Sequence, residues 1–268
     1  MLGTDSATSV GNAVAFAKAS DATKSKRSAP GISLARSRDD LSGAFSLLYQ
    51  AYLDAGLEAP RPSGIRITPY HMLPTTEVVV SKLGDEVVST ISLVGDGFLG
   101  IPMQSMYPEQ VNGLRERGSR IAEVGCLADR RKSPVRFIDN FRQMTRLLAQ
   151  VALVRGIDVL VVATHPRHAR FYTRALGFQK FGDVSECPYA QGNPAVALYL
   201  DLEEHISEEL RDQYFGTPIP SKELSPYHWD GDTRDYFRRI LQRDRQISAT
   251  ACVEGGLASA AISGVLTS

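Results

Sequence analysis

Hydrophobic positions along the chain fall into helical and strand-like rhythms that alternate from about residue 31 to residue 203. Gly31–Ser37 is a short alternating run, and Asp39 and Asp40 then offer caps for a helix that Gly56 ends. Within that helix Leu41, Phe45, Leu48, Tyr49 and Tyr52 recur at three- and four-residue spacing. After a Pro-rich loop come three β-rich runs, IRITPY, TEVVVSKL and EVVSTISLV, and Gly84-Asp85 marks a hairpin turn between the last two. MYPEQVNGLRERG predicts a short helix and SRIAEVGCLA a strand. The next helix has the clearest apolar stripe in the chain: Phe137, Phe141, Met144, Leu148 and Val151, closed by Gly156.

IDVLVVAT is a continuous apolar run of the kind buried on both faces of a sheet. HPRHARFYTRALGFQKFG follows, predicting a helix over residues 166–175 and a strand through FQKFGDV, and AVALYLDL supplies the last strand. This order predicts one α/β (α+β) unit with a mixed, mostly antiparallel central sheet flanked by helices. The strand–helix–strand unit from Glu123 to Thr164 should be a right-handed crossover. Two peripheral helices are expected beyond residue 203, in HISEELRDQYF and DTRDYFRRILQR, joined by a Pro-rich loop.

The ends read differently. Residues 1–30 are rich in small and polar side chains, too poor in large apolar groups to offset the entropy of ordering, so a disordered tail is expected. Residues 246–268 resemble a loose tail. The domain reading is therefore 1–30 tail, 31–203 folded unit, 204–245 helical extension and 246–268 flexible tail.

Composition narrows the function classes. Lys+Arg and Asp+Glu both number 30, so no global field draws the chain to nucleic acid or membrane. Three cysteines, Cys126, Cys187 and Cys252, lie at spacings that match no metal motif and suit free thiols in a reducing, cytoplasmic setting. No apolar run is long enough for a membrane span. His165 and His168 would share a helix face, but no third ligand lies at metal-binding spacing, so no metal site is expected.

Two features point to chemistry. Glu123 sits inside a strand that should be central. A carboxylate there is costly unless paired or functional, and burial would raise its pKa toward that of a general base near neutrality. A regular strand would place it on one face with Ile121 and Leu127, and the ordinary alternative is an ion pair with an arginine such as Arg120. Arg130, Arg131, Lys132 and Arg136 crowd the start of the long helix, where N–H groups and the dipole favour an anion, although a solvated helix face is the usual meaning of such a run. Cys126 is read as a buried inert thiol.

IAEVGCLADRR, the long helix and DVLVVATHPRHARFYTRALGFQKFG together resemble the core of the GNAT acyltransferase fold. More narrowly, Pro102, Glu109, Leu114-Arg115, Gly118, Ala122-Glu123-Val124 and Leu127-Ala128 are similar in order and spacing to the N-acyl amino acid synthases (FeeM-like), related to acyl-homoserine lactone synthases. The resemblance covers roughly residues 33–202. It implies transfer of a long-chain acyl group from a phosphopantetheine thioester to the amine of an amino acid or similar small amine. It also implies Glu123 as base, a bulge at Val124, Gly125, Cys126 and Leu127 whose N–H groups meet the oxyanion and pantetheine, and Tyr172 as proton donor to the leaving thiolate.

GNAT enzymes that use coenzyme A usually carry a glycine-rich loop after this strand. Here the loop is DRRKSPVRF, without glycine. Its basic residues suit an acyl carrier protein, with Arg130, Arg131, Lys132, Arg136, Arg167 and His168 as candidate contacts to donor phosphate or carrier protein. No resident cofactor is expected; the thioester is a substrate. A coenzyme A-dependent N-acetyltransferase and a non-catalytic GNAT-like binding module remain the competing readings. The acceptor pocket could involve the segment around Tyr70 and His71, the first helix, or residues after 203.

Overall fold

The computed structural model describes residues 15–16, 30–130, 134–203 and 206–245. Most of the two tail segments lies outside them. Of residues 1–30, Ala15–Phe16 forms a two-residue strand, β1. The remaining strands are β2 (Gly31–Leu34), β3 (Thr76–Leu83), β4 (Glu86–Gly95), β5 (Ile121–Asp129), β6 (Val159–Thr164), β7 (Gln179–Lys180), β8 (Ser185–Cys187) and β9 (Asn193–Asp201). The helices are α1 (Arg38–Asp54), α2 (Pro108–Glu116), α3 (Pro134–Val154), α4 (Pro166–Leu176), α5 (Glu208–Phe215), α6 (Ser221–Leu224) and α7 (231–245).

One sheet runs in the order β2-β3-β4-β5-β6-β9-β7. Its pairings are antiparallel except β5 with β6 and β1 with β5. The parallel β5–β6 pair brackets α3, as a crossover helix requires. α1 packs its buried residues Leu41, Phe45, Leu48 and Tyr52 on one face of the sheet. α3 covers the other face with Phe141, Met144, Leu148 and Val151, joined by Tyr172 and Leu176 from α4. Gly177, at φ 75°, ends α4 in the left-handed conformation that suits glycine.

Three expectations fail locally. Ile65–Thr68 does not enter the sheet: Ile65 and Ile67 bury against α1, the Arg66 N–H donates to the Phe45 carbonyl, and Pro69 opens a 3₁₀ turn. The alternation there records docking on a helix. The strand expected through residue 184 stops at Lys180. At Gly182 the chain passes so close to the Tyr107 ring that a Cβ would lie 2.8 Å from it, and the Tyr107 hydroxyl donates to the Asp183 and Ala195 carbonyls at 2.7 and 2.8 Å. The third is β8, which pairs with β9 from a segment with no strand pattern of its own.

The C-terminal helices pack on both faces. α5 contacts α3, with the Gln150 amide donating to the Tyr214 carbonyl at 2.9 Å. The α7 residue Phe237 lies edge-on to Phe45 of α1 at 5.3 Å. No helix among the described residues is long and apolar enough to cross a membrane.

Candidate active site

Glu123 points from β5 to the face opposite α3 and is 7% exposed. Met103, held in a 3₁₀ turn begun by Pro102, donates its backbone N–H to Glu123 Oε2 at 2.5 Å. Burial pushes the Glu123 pKa up to about 8, and that one hydrogen bond offsets it only partly. Arg120 is not its partner, for the Arg120 guanidinium pairs with Asp158 at 2.8 Å.

β5 carries a one-residue bulge between Gly125 and Ala128. Ser92 of β4 is opposite Gly125 and Thr90 is opposite Ala128, so two steps on β4 span three on β5. Cys126 takes φ 53°, a left-handed conformation uncommon for a non-glycine residue. The bulge changes the phase of the strand. Leu127 joins Ala122 and Val124 in the core under α3, not Glu123, while Gly125 and Cys126 both face the Glu123 side. The expectation that Glu123 and Leu127 share a face is thereby corrected.

On its other edge β5 pairs with β6 only over Ile121–Glu123, and with β1 over Ala128–Asp129. Among the described residues no strand pairs with Val124–Leu127 on that edge. β5 and β6 therefore part company beside the buried carboxylate, leaving a slot of four residues.

A cavity of about 70 Å³ opens at this slot. Glu123, Gly125 and Cys126 form its floor with Ala163 of β6; Tyr52, Arg66, Tyr70 and His71 form one wall; Val94, Pro102 and Met106 form another, and Cys187 and Tyr189 close it. Arg66 stacks on the Tyr52 ring at 4.4 Å, is bonded through Nη1 to the buried Glu58, and donates from Nη2 to the Tyr189 carbonyl at 2.8 Å. His71 Nδ1 accepts the Thr68 backbone N–H at 3.1 Å, which leaves the proton on Nε2, 3.4 Å from Ser92 Oγ. Burial holds the His71 pKa down to about 3, so the ring is neutral. Burial pushes the Cys126 thiol up to about 11, which makes it a poor nucleophile near neutrality.

Tyr172 does not line this cavity. It is 3% exposed among Phe141, Phe171 and Phe178 on the α3 face, and burial raises its pKa. The basic candidates are dispersed. Arg130 pairs with Glu86, and Arg167 bonds to His168 at 3.3 Å beside the helix cap His165. Arg136 lies in the first turn of α3 with its side chain outside the described part, as are Arg131 and Lys132 entirely. Of the described ones, Arg130 follows β5 and Arg167 and His168 open α4 after β6, at the C-terminal ends of the two parallel strands. Among the described residues no group of three or more His, Cys, Asp or Glu can hold a metal ion.

Tyr52, Arg66, Tyr70 and His71 complete the pocket, and of these only the Tyr70–His71 segment and the first helix were expected near an acceptor. Arg66 lies in IRITPY, a run with the alternation of a strand, which hides its place in a cavity wall. Its one signal was a cation between two isoleucines.

Comparison with known proteins agrees with this geometry. The structure of FeeM, an N-acyl amino acid synthase from uncultured soil microbes, is 23% identical, with a TM-score of 0.57 over 69% of this chain and 94% of that one. The acyl-homoserine lactone synthase LasI is 18% identical, with a TM-score of 0.54 over 71% of this chain and 96% of that one. These likenesses establish a GNAT-like fold. No curated protein sequence matches significantly. The family model described as N-acyl amino acid synthase FeeM matches residues 43–201, and the chain accordingly belongs to the FeeM N-acyl amino acid synthase family of acyltransferases.

Proposed function

We propose that this N-acyltransferase moves a long-chain acyl group from an acyl carrier protein thioester to the amine of an amino acid. The observation that carries the reading is the juxtaposition of a buried, ionisable Glu123 with the unpaired edge of β5 over Val124–Leu127. An extended pantetheine arm has amides that suit such an edge, and lying along it would bring the thioester carbonyl beside Glu123.

Each residue then has a task. N–H groups of the bulge between Val124 and Leu127 receive the oxyanion as the amine attacks. The C–N bond forms, the C–S bond breaks, and the amine proton passes to Glu123, directly or through a water. In the empty cavity Glu123 holds its proton up to about pH 8. An ammonium group entering beside it favours the carboxylate, so the acceptor itself helps to create the base. Tyr172, buried on the α3 face of the sheet, is assigned the proton for the departing thiolate, a role that needs its hydroxyl to meet the sulfur once the donor is bound.

The carrier-protein donor is favoured by the connection after β5. DRRKSPVRF lacks the glycines of a tight diphosphate cradle and is rich in cations directly after β5 in sequence. An acidic carrier surface complements that patch, chiefly in encounter rate and orientation. The test is incubation with acyl carrier protein thioesters, long-chain acyl-coenzyme A and acetyl-coenzyme A, each with a mixture of amino acids, followed by mass spectrometry. N-acyl amino acid formed fastest from the carrier protein is the expected result. Equal or faster turnover of acetyl-coenzyme A would replace the reading with an ordinary N-acetyltransferase, and no product from any donor would favour a binding module.

A further inference from the structure

Arg66 has a buried guanidinium whose hydrogen-bonding capacity is not exhausted. The residue is 6% exposed. Glu58 takes Nη1 and the Tyr189 carbonyl takes Nη2, while Nε has no partner. A buried donor without an acceptor is unfavourable, and such a group commonly marks a place where a ligand completes the set. Tyr52 covers one face of the guanidinium and fixes its plane, so only the edge is left for an acceptor.

The position of that edge is informative. Arg66 and Glu123 line the same cavity as Gly125 and Cys126, so a cation and a carboxylate share one pocket beside the bulge of β5. An α-amino acid carries its ammonium and carboxylate on one carbon, and a planar guanidinium edge is the preferred partner of a carboxylate. We infer that Arg66 anchors the carboxylate of the acceptor while Glu123 takes its amine, which makes Arg66 the residue that selects amino acids over simple amines. The inference rests on the acyl transfer to an amino acid proposed above. Apolar neighbours Val94, Pro102 and Met106 would meet the acceptor's side chain, which favours an apolar amino acid over a charged one.

The experiment compares L-phenylalanine with phenethylamine, which differ only in the carboxylate. Two variants are used: Arg66→Lys, which keeps the charge but not the fork, and the double variant E58Q/R66Q, which removes both partners and leaves no orphaned Glu58. In the wild type, kcat/KM should favour phenylalanine. In both variants KM for phenylalanine should rise about 10- to 100-fold, the loss of one charge-assisted pair, with KM for phenethylamine unchanged. An equal loss for both acceptors, or no loss for either, would overturn the assignment and leave the acyltransfer reading standing. Calorimetric titration of the two compounds without a donor keeps the claims separable. If no donor supports transfer but phenylalanine binds in an Arg66-dependent manner, the carboxylate anchor stands and the reaction falls. Binding that ignores the carboxylate in the wild type sinks the anchor.

Discussion

The Met103 N–H donates to Glu123 Oε2 at 2.5 Å, and no other hydrogen bond restrains that buried carboxylate among the described residues. One donor is far short of what a buried anion needs, so burial favours the protonated acid. The fold therefore bears a cost at Glu123 that grows as pH rises from the ordinary carboxylate range toward about 8. A group whose folded pKa is raised contributes fully below its unfolded pKa and loses that contribution as pH climbs to the folded one. Glu123→Gln, which keeps the acceptor oxygen for Met103, should be more stable than wild type by about 1–3 kcal/mol at pH 7. The difference should shrink toward zero near pH 4. Denaturant melts across that range check it.

The same substitution should lower acyl transfer by about 10²- to 10⁴-fold, the usual worth of a positioned base. In wild type, kcat/KM should rise with pH through a limb near 8. That limb should stay in place when the acceptor is exchanged for a less basic amine. A limb that follows the amine would assign the titration to the substrate and remove Glu123 from the role of base.

Tyr172 is proposed to protonate a leaving thiolate, and leaving groups differ in how much they need it. Tyr172→Phe should reduce kcat about 10- to 100-fold with a pantetheine thioester. A thioester of an acidic aryl thiol should recover most of the loss. A uniform deficit with both donors would mean that the hydroxyl only packs among Phe141, Phe171 and Phe178.

Cys126 lines the cavity at φ 53° with its thiol pushed up to about 11. Cys126→Ala should retain transfer within about threefold, because the bulge is contributed by backbone, and loss of all activity would make the thiol a nucleophile after all. Cys126→Val should destabilise by about 1–3 kcal/mol, since a β-branched side chain fits the left-handed region poorly. Thermal unfolding of the two variants side by side gives the comparison.

The helical extension buttresses the pocket from outside. Phe237 packs on Phe45, whose ring lies 4.8 Å from His71 at the cavity wall. Asp244 accepts the Ser63 hydroxyl at 2.7 Å in the segment that leads to Arg66. Phe237→Ala should cost about 3–5 kcal/mol and raise KM for the acceptor more than it changes kcat. A stability loss with unaltered KM would show that the extension serves the fold alone.

Elements with a strong period were readable from the chain alone. α3 has an unbroken stripe from Phe137 to Val151, and β6 is apolar throughout, so periodicity and position agreed. Ile65–Thr68 was misread because an extended segment docked on a helix alternates just as a strand does. β8 draws its order from β9 and could not be seen locally. Glu123 stood out because a carboxylate in an apolar strand is rare. The phase change after it has no mark in the periodicity, because a bulge is a relation between two strands; the family resemblance alone implied a bulge over Val124–Leu127, where the register shift lies.

The interval Val124–Leu127 interrupts a nine-stranded sheet at its middle, not at its rim. An interior ladder that stops short is a missing rung, and whatever extended molecule fills it finishes the architecture of the protein as well as occupying a site. Donor affinity and fold stability are then two readings of one free energy. A thioester analogue that cannot react should raise the melting temperature with the logarithm of its concentration over Kd, and side-chain changes far from the slot that loosen β5 or β6 should surface first as weaker donor binding.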